Sequence, residues 1–375
     1  LAVTCLLVVA NAFQTPTLSR FLTDEVKVSP ILVGLFYSVN AIAAIVVSFM
    51  LDLYSDKQGD RRRLILICSI MGIGNCVTFA FTRHYLLLIT MGVFFSSVAS
   101  AATPQLFALA REYAVKTGRN LVSFNAILRA QISLAWVIGP PLSFIIAVQQ
   151  GFTVMYLCAG VMFLLAICVA LLFLPKMSRQ AISKNAPSLP QPAIFADKSV
   201  VILFAATIFM WTANMMYLID MPLYVDKVLQ LSTSLPGHMM GMAAAIEIPV
   251  MLIAGLLAPH FGKKRLFYFA IGCGIVFYIG MLSFTHASVL LALQILNALF
   301  IGIVASLGIL YFQDLLPTRV GVASTLFTNG VACSVIIAGL IQGIVSDYIG
   351  HYAIYAIALA MLVISLILCR FIRSV

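Results

Sequence analysis

Long apolar segments alternate with short polar turns along the entire chain. Each segment is close to or longer than the roughly 20 residues that a helix needs to cross the hydrocarbon core of a bilayer. Strands of a porin-type barrel would instead alternate in polarity over about ten residues. The pattern therefore predicts twelve membrane-spanning helices. In the first half they cover residues 1–22, 30–51, 64–82, 85–110, 121–148 and 153–174; in the second, 199–229, 237–259, 266–285, 288–316, 321–348 and 353–373.

The stretch between the sixth and seventh segments differs in composition from its neighbours. Residues 175–198 contain four prolines, polar side chains and basic charge, which is typical of a flexible linker. We therefore predict an N-terminal six-helix bundle at 1–174, a cytoplasmic linker at 175–198 and a C-terminal six-helix bundle at 199–375.

Composition supports a membrane protein and explains the basic charge. Charged residues make up 9% of the 375 residues, hydrophobic residues 63%, and the mean hydropathy is +1.10; soluble domains carry about 25% charge. The net charge is +10, but seventeen of the 22 lysines and arginines lie on alternate loops or at the C-terminus. This is the positive-inside pattern, which predicts cytoplasmic basic loops and cytoplasmic termini. It argues against nucleic-acid binding.

A short basic loop occurs once in each half. Residues 52–63 read DLYSDKQGDRRR and residues 255–265 read GLLAPHFGKKR; Gly59 and Gly262 are separated by 203 residues. Both loops join consecutive apolar segments. Such duplication is common in secondary transporters and indicates two related halves. The chain is therefore predicted to be a carrier rather than an enzyme.

The first loop resembles the signature between the second and third helices of the major facilitator superfamily. Asp56, Lys57, Gly59, Arg61 and Arg62 fall on matching positions. We interpret them as a cytoplasmic gate or anchor; charge on a solvated loop is the alternative. The second copy is less complete, because a proline replaces the acidic residue. The superfamily fold is all-α, with two six-helix bundles related by pseudo-two-fold symmetry.

Six further stretches are similar to the bacterial sugar efflux transporter family of that superfamily. They are QTPTLS at 14–19, SDKQGDR at 55–61, PQLFALARE at 104–112, LRAQISLAWVIGPP at 128–141, EIPVMLIAG at 247–255 and ILYFQDLLP at 309–317. The resemblance implies export of sugars such as lactose, glucose and alkyl or aryl glycosides by proton antiport, across the bacterial cytoplasmic (inner) membrane.

Several polar side chains are predicted to lie near the membrane midplane. At 1.5 Å per residue, Gln14, Arg129, Glu247 and Asn297 fall at similar depth. Three sets with i,i+3 spacing share one helix face each: Asn11 with Gln14, Trp211 with Asn214 and Tyr217, and Gln294 with Asn297. In the superfamily, helices one, seven and ten line the central cavity. These seven residues and Arg129 are predicted to contact substrate; hydrogen bonding between helices is the alternative.

Amide side chains donate and accept hydrogen bonds without carrying charge, which suits sugar hydroxyls, and aromatic faces can cover a sugar ring. Arg129 and Glu247 leave three alternatives open: proton coupling, sugar binding or a static ion pair. Asp220 is expected to face the outer vestibule and Arg20 to reach the interface or pair with Asp24. The histidines have no companion at metal-ligand spacing. Gly139-Pro140-Pro141 and Glu247-Ile248-Pro249 should bend or locally open their helices.

The predicted function is a monomeric twelve-helix exporter of small-molecule sugars that uses the proton gradient and needs no cofactor or metal. A multidrug or amphipathic-compound exporter of the same fold is one alternative. An intramembrane enzyme or a receptor is another, but the sequence contains no metal motif, Ser/His/Asp set, nucleotide-binding loop or soluble domain.

Overall fold

The computed structural model describes residues 2–58, 61–117, 121–174, 197–317 and 319–373, and within these ranges the regular structure is helical. Twelve helical segments are long and apolar enough to cross a membrane, so the prediction of twelve spans is confirmed. Spans 1–6 are Ala2–Asp24, Pro30–Leu51, Arg61–Phe81, Tyr85–Ala110, Ala130–Gln150 and Phe152–Phe173. Spans 7–12 are Lys198–Val228, Leu235–Phe261, Lys263–Ser283, Ala287–Leu315, Val322–Tyr348 and His351–Arg370. Of the predicted linker at 175–198, residues 175–196 lie outside the described residues, and Lys198 already begins the helix of span 7.

Some helices are longer or less regular than the apolar pattern indicates. The helix of span 2 continues to Gln58 as Pro30–Gln58, and that of span 5 starts at Leu121 as Leu121–Gln150. Span 1 is interrupted between its helices Ala2–Gln14 and Leu18–Asp24. Pro16 lies in that gap, where its missing N–H cannot continue the helical hydrogen bonds.

Two π-helical turns, Leu88–Gly92 and Tyr224–Val228, interrupt spans 4 and 7. The two proline sites were expected to bend or locally open their helices, and no local opening is observed. The helices of spans 5 and 8 continue through Pro140, Pro141 and Pro249. Each proline removes a single backbone hydrogen bond, and a long helix packed among others can tolerate that loss.

The contacts divide the chain into two compact units: Leu1–Val28 with Val39–Pro187, and Ser29–Ser38 with Ser188–Val375. In the first unit, span 1 packs against spans 5 and 6, and span 3 packs against span 6. Gly139 of span 5 faces Ala12 of span 1 so closely that an added Cβ would lie 2.5 Å from the Ala12 Cβ. Val8, Ala12 and Ala135 form a small apolar core at the same crossing.

In the second unit, span 7 packs against spans 11 and 12, and span 10 packs against spans 8 and 9. The first turns of span 2 belong to this unit, because Gly34 lies against the backbone of Gly339 and Gly343 in span 11. The Ser38 hydroxyl donates to the Ile336 carbonyl at 2.9 Å beside this contact. Small residues allow the two backbones to approach this closely.

Candidate functional site

Three of the predicted substrate-binding residues meet inside the second unit. The Tyr217 hydroxyl of span 7 donates to Gln294 Oε1 of span 10 at 3.1 Å, and Asn297 Nδ2 donates to the same oxygen at 3.2 Å. Gln294 Nε2 in turn donates to the Leu290 carbonyl at 3.0 Å. Among the described residues, Asn297 Oδ1 is buried and has no partner. We call Tyr217, Gln294 and Asn297 the amide cluster; it retains one free acceptor.

The other two predicted residues of span 7, Asn214 and Trp211, have hydrogen-bonding groups without partners among the described residues. Asn214 is buried and makes no hydrogen bond with another described residue. The Trp211 ring packs edge-on against Phe327, with ring centroids 6.2 Å apart. Its Nε1 donor is buried, also without a partner in the described part of the chain. The i,i+3 spacing places Asn214 one helical turn from Tyr217 on the same helix face, and Trp211 one turn further away on span 7.

In the first unit, Gln14 of span 1 pairs with a residue that the sequence analysis missed. Asn75 Nδ2 of span 3 donates to Gln14 Oε1 at 2.8 Å, while Gln14 Nε2 donates to the Ala10 carbonyl at 3.0 Å. Asn11 Nδ2 donates to the Leu7 carbonyl at 2.9 Å. Asn75 is the one amide side chain in the third predicted segment, 64–82, and this was the signal that could have identified it.

Glu247 and Arg129, the proposed coupling residues, are described to different extents. Glu247 is partly buried and its side chain packs over Gly302 of span 10. It forms no hydrogen bond or ion pair with any residue whose side chain is described. Arg129 lies within the helix Leu121–Gln150, but its side chain is outside the described set. The pairing of these two residues stays a prediction.

The predicted cytoplasmic gate is described only in part. Arg61 Nη1 donates to Gln105 Oε1 at 2.8 Å, and Arg62 Nη2 donates to the Leu171 carbonyl at 2.6 Å. Both arginines thus tie the start of span 3 to neighbouring helices of the first unit. Asp56 and Lys57 lie at the end of the helix Pro30–Gln58 with side chains outside the described set, and Gly59 is outside the described residues.

Two further expectations concern charged residues near span ends. Arg20 was expected to reach the interface or to pair with Asp24, and the structure has the pairing, since Arg20 Nε and Asp24 Oδ2 are 2.9 Å apart. The expectation that Asp220 faces an outer vestibule is wrong. Asp220 is fully buried in the second unit, where His351 Nδ1 lies 2.7 Å from its Oδ1. The two residues are 131 positions apart, so sequence spacing could not reveal the contact.

Within the described part of the chain, no set of three or more His, Cys, Asp or Glu side chains is placed to hold a metal ion. The buried polar side chains of the described residues include serine and threonine hydroxyls, asparagine and glutamine amides, and the carboxyl group of Asp220.

Removing Gln294 should destabilise the protein more than removing the Tyr217 hydroxyl. Gln294→Leu leaves both Tyr217 and Asn297 without their shared acceptor, and each buried unsatisfied group costs about 1–3 kcal/mol. Tyr217→Phe leaves the Asn297–Gln294 bond in place and removes a hydrogen bond worth about 0.6 kcal/mol in a membrane protein. Thermal unfolding of the purified variants in detergent measures both effects. Equal losses would show that the three side chains do not act as one network.

The chain is similar in sequence to a known protein family and to several named relatives. Residues 1–290 match the family model of the Major Facilitator Superfamily. The chain is 49% identical over 368 residues to Sugar efflux transporter A of Escherichia coli strain K12, covering 98% of this chain and 93% of the relative. It is 46% identical over 367 residues to Sugar efflux transporter C of the same strain, again covering 98% and 93%.

Solved structures agree on the architecture. The crystal structure of the nucleoside transporter NupG has a TM-score of 0.81 at 14% identity, covering 98% of this chain and 96% of the other. A bacterial homologue of the human lysosomal transporter Spinster has a TM-score of 0.79 at 12% identity, covering 98% and 93%. These similarities support the fold alone. Together with the family model and the close relatives, they show that the chain is a multi-pass membrane protein of the major facilitator superfamily, in its family of bacterial sugar efflux transporters.

Proposed function

We propose that this protein exports sugars from the cytoplasm across the bacterial inner membrane by proton antiport, acting as a monomer through alternating access. The observation that supports this most directly is the amide cluster, which places neutral donors and acceptors in an apolar interior. Relatives named as sugar efflux transporters support the same substrate class. Lactose, glucose and alkyl or aryl glycosides are the proposed substrates.

The unused groups around the amide cluster suit a sugar. A sugar hydroxyl can donate to Asn297 Oδ1 and accept from Trp211 Nε1, and these two atoms are buried without partners in the described chain. Asn214 can do either. The indole ring adds an apolar surface for the face of a pyranose ring. Because none of these groups is charged, they suit an uncharged ligand.

The first unit would contribute in a similar way. Asn75 Oδ1 is buried and without a partner among the described residues, next to the Gln14 amide. Asn11 lies one helical turn earlier on the same face of span 1. In this proposal, alternating access exposes the sugar first to the cytoplasm and then to the outside. Arg61 and Arg62, with Asp56 and Lys57, would form the gate on the cytoplasmic side.

Proton coupling is assigned to Glu247, with Arg129 as the group that responds to its charge. A carboxyl group at this depth is costly as an anion unless it is paired, so it can change state as the surroundings change. Release of the proton by Glu247 would accompany sugar binding, and uptake of a proton would accompany sugar release. The free energy of the proton gradient would thereby drive sugar outward.

Sugar transport is tested by counterflow in proteoliposomes. Vesicles loaded with unlabelled lactose or glucose should take up the labelled sugar transiently, with or without a pH gradient, because exchange needs no net proton movement. Net accumulation should require an acidic lumen, since antiport moves a proton outward for each sugar moved inward.

Protein-free vesicles and a non-transported charged solute serve as controls in this assay. Absence of sugar-dependent flux would contradict the proposed function. Flux of amphipathic drugs in its place would favour the multidrug exporter.

A further inference from the structure

The carboxyl group of Asp220 is enclosed where spans 7, 11 and 12 meet within the second unit. His351 Nδ1, at the first residue of span 12, lies 2.7 Å from Asp220 Oδ1. Gln342 Nε2 of span 11 donates to the same oxygen at 3.1 Å. Ser346 Oγ lies 3.0 Å from the His351 Nδ1. The hydrogen-bond partners of Asp220 Oδ1 are thus a neutral amide and one histidine.

The second oxygen of Asp220 is buried and has no hydrogen-bond partner among the described residues. No lysine or arginine in the described chain forms an ion pair with this carboxyl group. The titratable groups that face it are His351 and Tyr355 from span 12 and Tyr224 from the π-helical turn. Tyr217 and Tyr278 lie beyond, facing Tyr355. Histidine is the group in this set that changes charge near neutral pH.

We propose that Asp220 and His351 form a proton-binding site, additional to Glu247, in the outer half of the second unit. With one proton bound to the pair, its net charge is zero, either as carboxylate with imidazolium or as carboxylic acid with imidazole. Loss of that proton to water leaves a carboxylate with a neutral imidazole and a net charge of −1. A buried anion with an unpartnered oxygen is costly, so the two states differ in the packing that they favour.

The partial exposure of His351 gives the proton a route. The His351 side chain is 15% exposed, whereas that of Asp220 is 0% exposed. His351 follows Gly350 at the very start of span 12 and so lies at the membrane surface, on the side predicted to be external. A proton can therefore enter or leave through the imidazole, and Asp220 stabilises it inside the protein.

The site also adjoins the amide cluster. Tyr217 precedes Asp220 by three residues on span 7, so both lie on the same helix face. A change in the charge of the pair would act on the segment of span 7 that bonds to Gln294. This coupling to sugar binding rests on the proposed function, whereas proton binding by the pair does not.

Proton binding is tested without sugar by nuclear magnetic resonance of protein labelled at its five histidines. The His351 signal, assigned by its loss in His351→Gln, should titrate in wild type. Asp220→Asn should move its midpoint by about one pH unit or more, a tenfold change in proton affinity. His238, exposed at the start of span 8, is the control signal and should not move. A His351 signal that keeps one charge throughout, or is indifferent to Asp220→Asn, would overturn the proposal.

Coupling is tested by the pH dependence of sugar counterflow. Acidification should slow exchange in wild type, because an antiporter binds sugar in its deprotonated form. Asp220→Asn and His351→Gln should shift the pH of half-maximal exchange by about one unit, while His238→Gln behaves as wild type.

Variants that are slower at every pH with an unchanged midpoint would show that the pair is only structural. An exchange rate that depends on the sodium concentration and not on pH would identify a cation site and would also overturn the proposal. If wild type exchanges no sugar while its His351 titrates with Asp220, the transport proposal fails and the proton site stands.

Discussion

Glu247→Gln is expected to abolish gradient-driven sugar accumulation while leaving sugar exchange nearly unchanged. The substitution keeps the size and hydrogen-bonding capacity of the side chain but removes its ability to bind and release a proton. Glu247 packs over Gly302 and has no described partner that the amide would lose. Exchange needs binding and reorientation only, whereas accumulation needs the proton step.

The size of this effect follows from the driving force. One pH unit corresponds to about 1.36 kcal/mol, which for exchange of one proton per sugar sustains about tenfold accumulation. Wild type in vesicles with an acidic lumen should approach that ratio, and Glu247→Gln should equilibrate at about onefold. Labelled sugar inside and outside the vesicles gives the ratio directly.

Glu25→Gln is the matched control for this experiment. Glu25 forms an exposed ion pair with Arg83 at 2.9 Å, and exposed pairs contribute about 0–1 kcal/mol. This variant should accumulate sugar as wild type does. Full uphill accumulation by Glu247→Gln would remove Glu247 from the coupling mechanism.

Gly139→Val is expected to destabilise the first unit and to reduce transport. The Cβ alone would lie 2.5 Å from the Ala12 Cβ and 3.1 Å from the Ala12 carbonyl oxygen. The Ala12 Cβ and carbonyl oxygen are fixed by the backbone of their helix and cannot rotate away. The contact can therefore be relieved only by moving span 1 away from span 5. Overpacking of this kind costs about 1–3 kcal/mol. The shift also displaces Asn11, which adjoins Ala12, so counterflow should slow.

Gly272→Val provides the comparison, because a Cβ at Gly272 in span 9 meets no atom within 4 Å. Its unfolding temperature in detergent and its counterflow rate should match wild type. A Gly139→Val protein as stable and active as Gly272→Val would show that spans 1 and 5 do not need their close approach.

The candidate site was only partly predictable. Helical periodicity correctly placed Tyr217 near Asn214, and Gln294 near Asn297, because i,i+3 neighbours share a face whatever surrounds them. Periodicity does not state which span each face meets. The Tyr217–Gln294 bond joins residues 77 positions apart, and the Gln14–Asn75 bond joins residues 61 apart. Those partners depend on how the helices pack.

The number of spans, the duplication and the membrane environment could be predicted from the residues alone, because helix length and apolar content are set locally by the thickness of the bilayer. The sequence also revealed the family, through motifs spread from span 1 to span 10. Tertiary structure alone decided that Asp220 is buried against His351, that Asn75 bonds Gln14, and that Ser29–Ser38 packs with the second unit. Helix packing selects these contacts through close approach of small residues and pairing of buried polar groups, and neither is encoded in the polarity pattern of one segment.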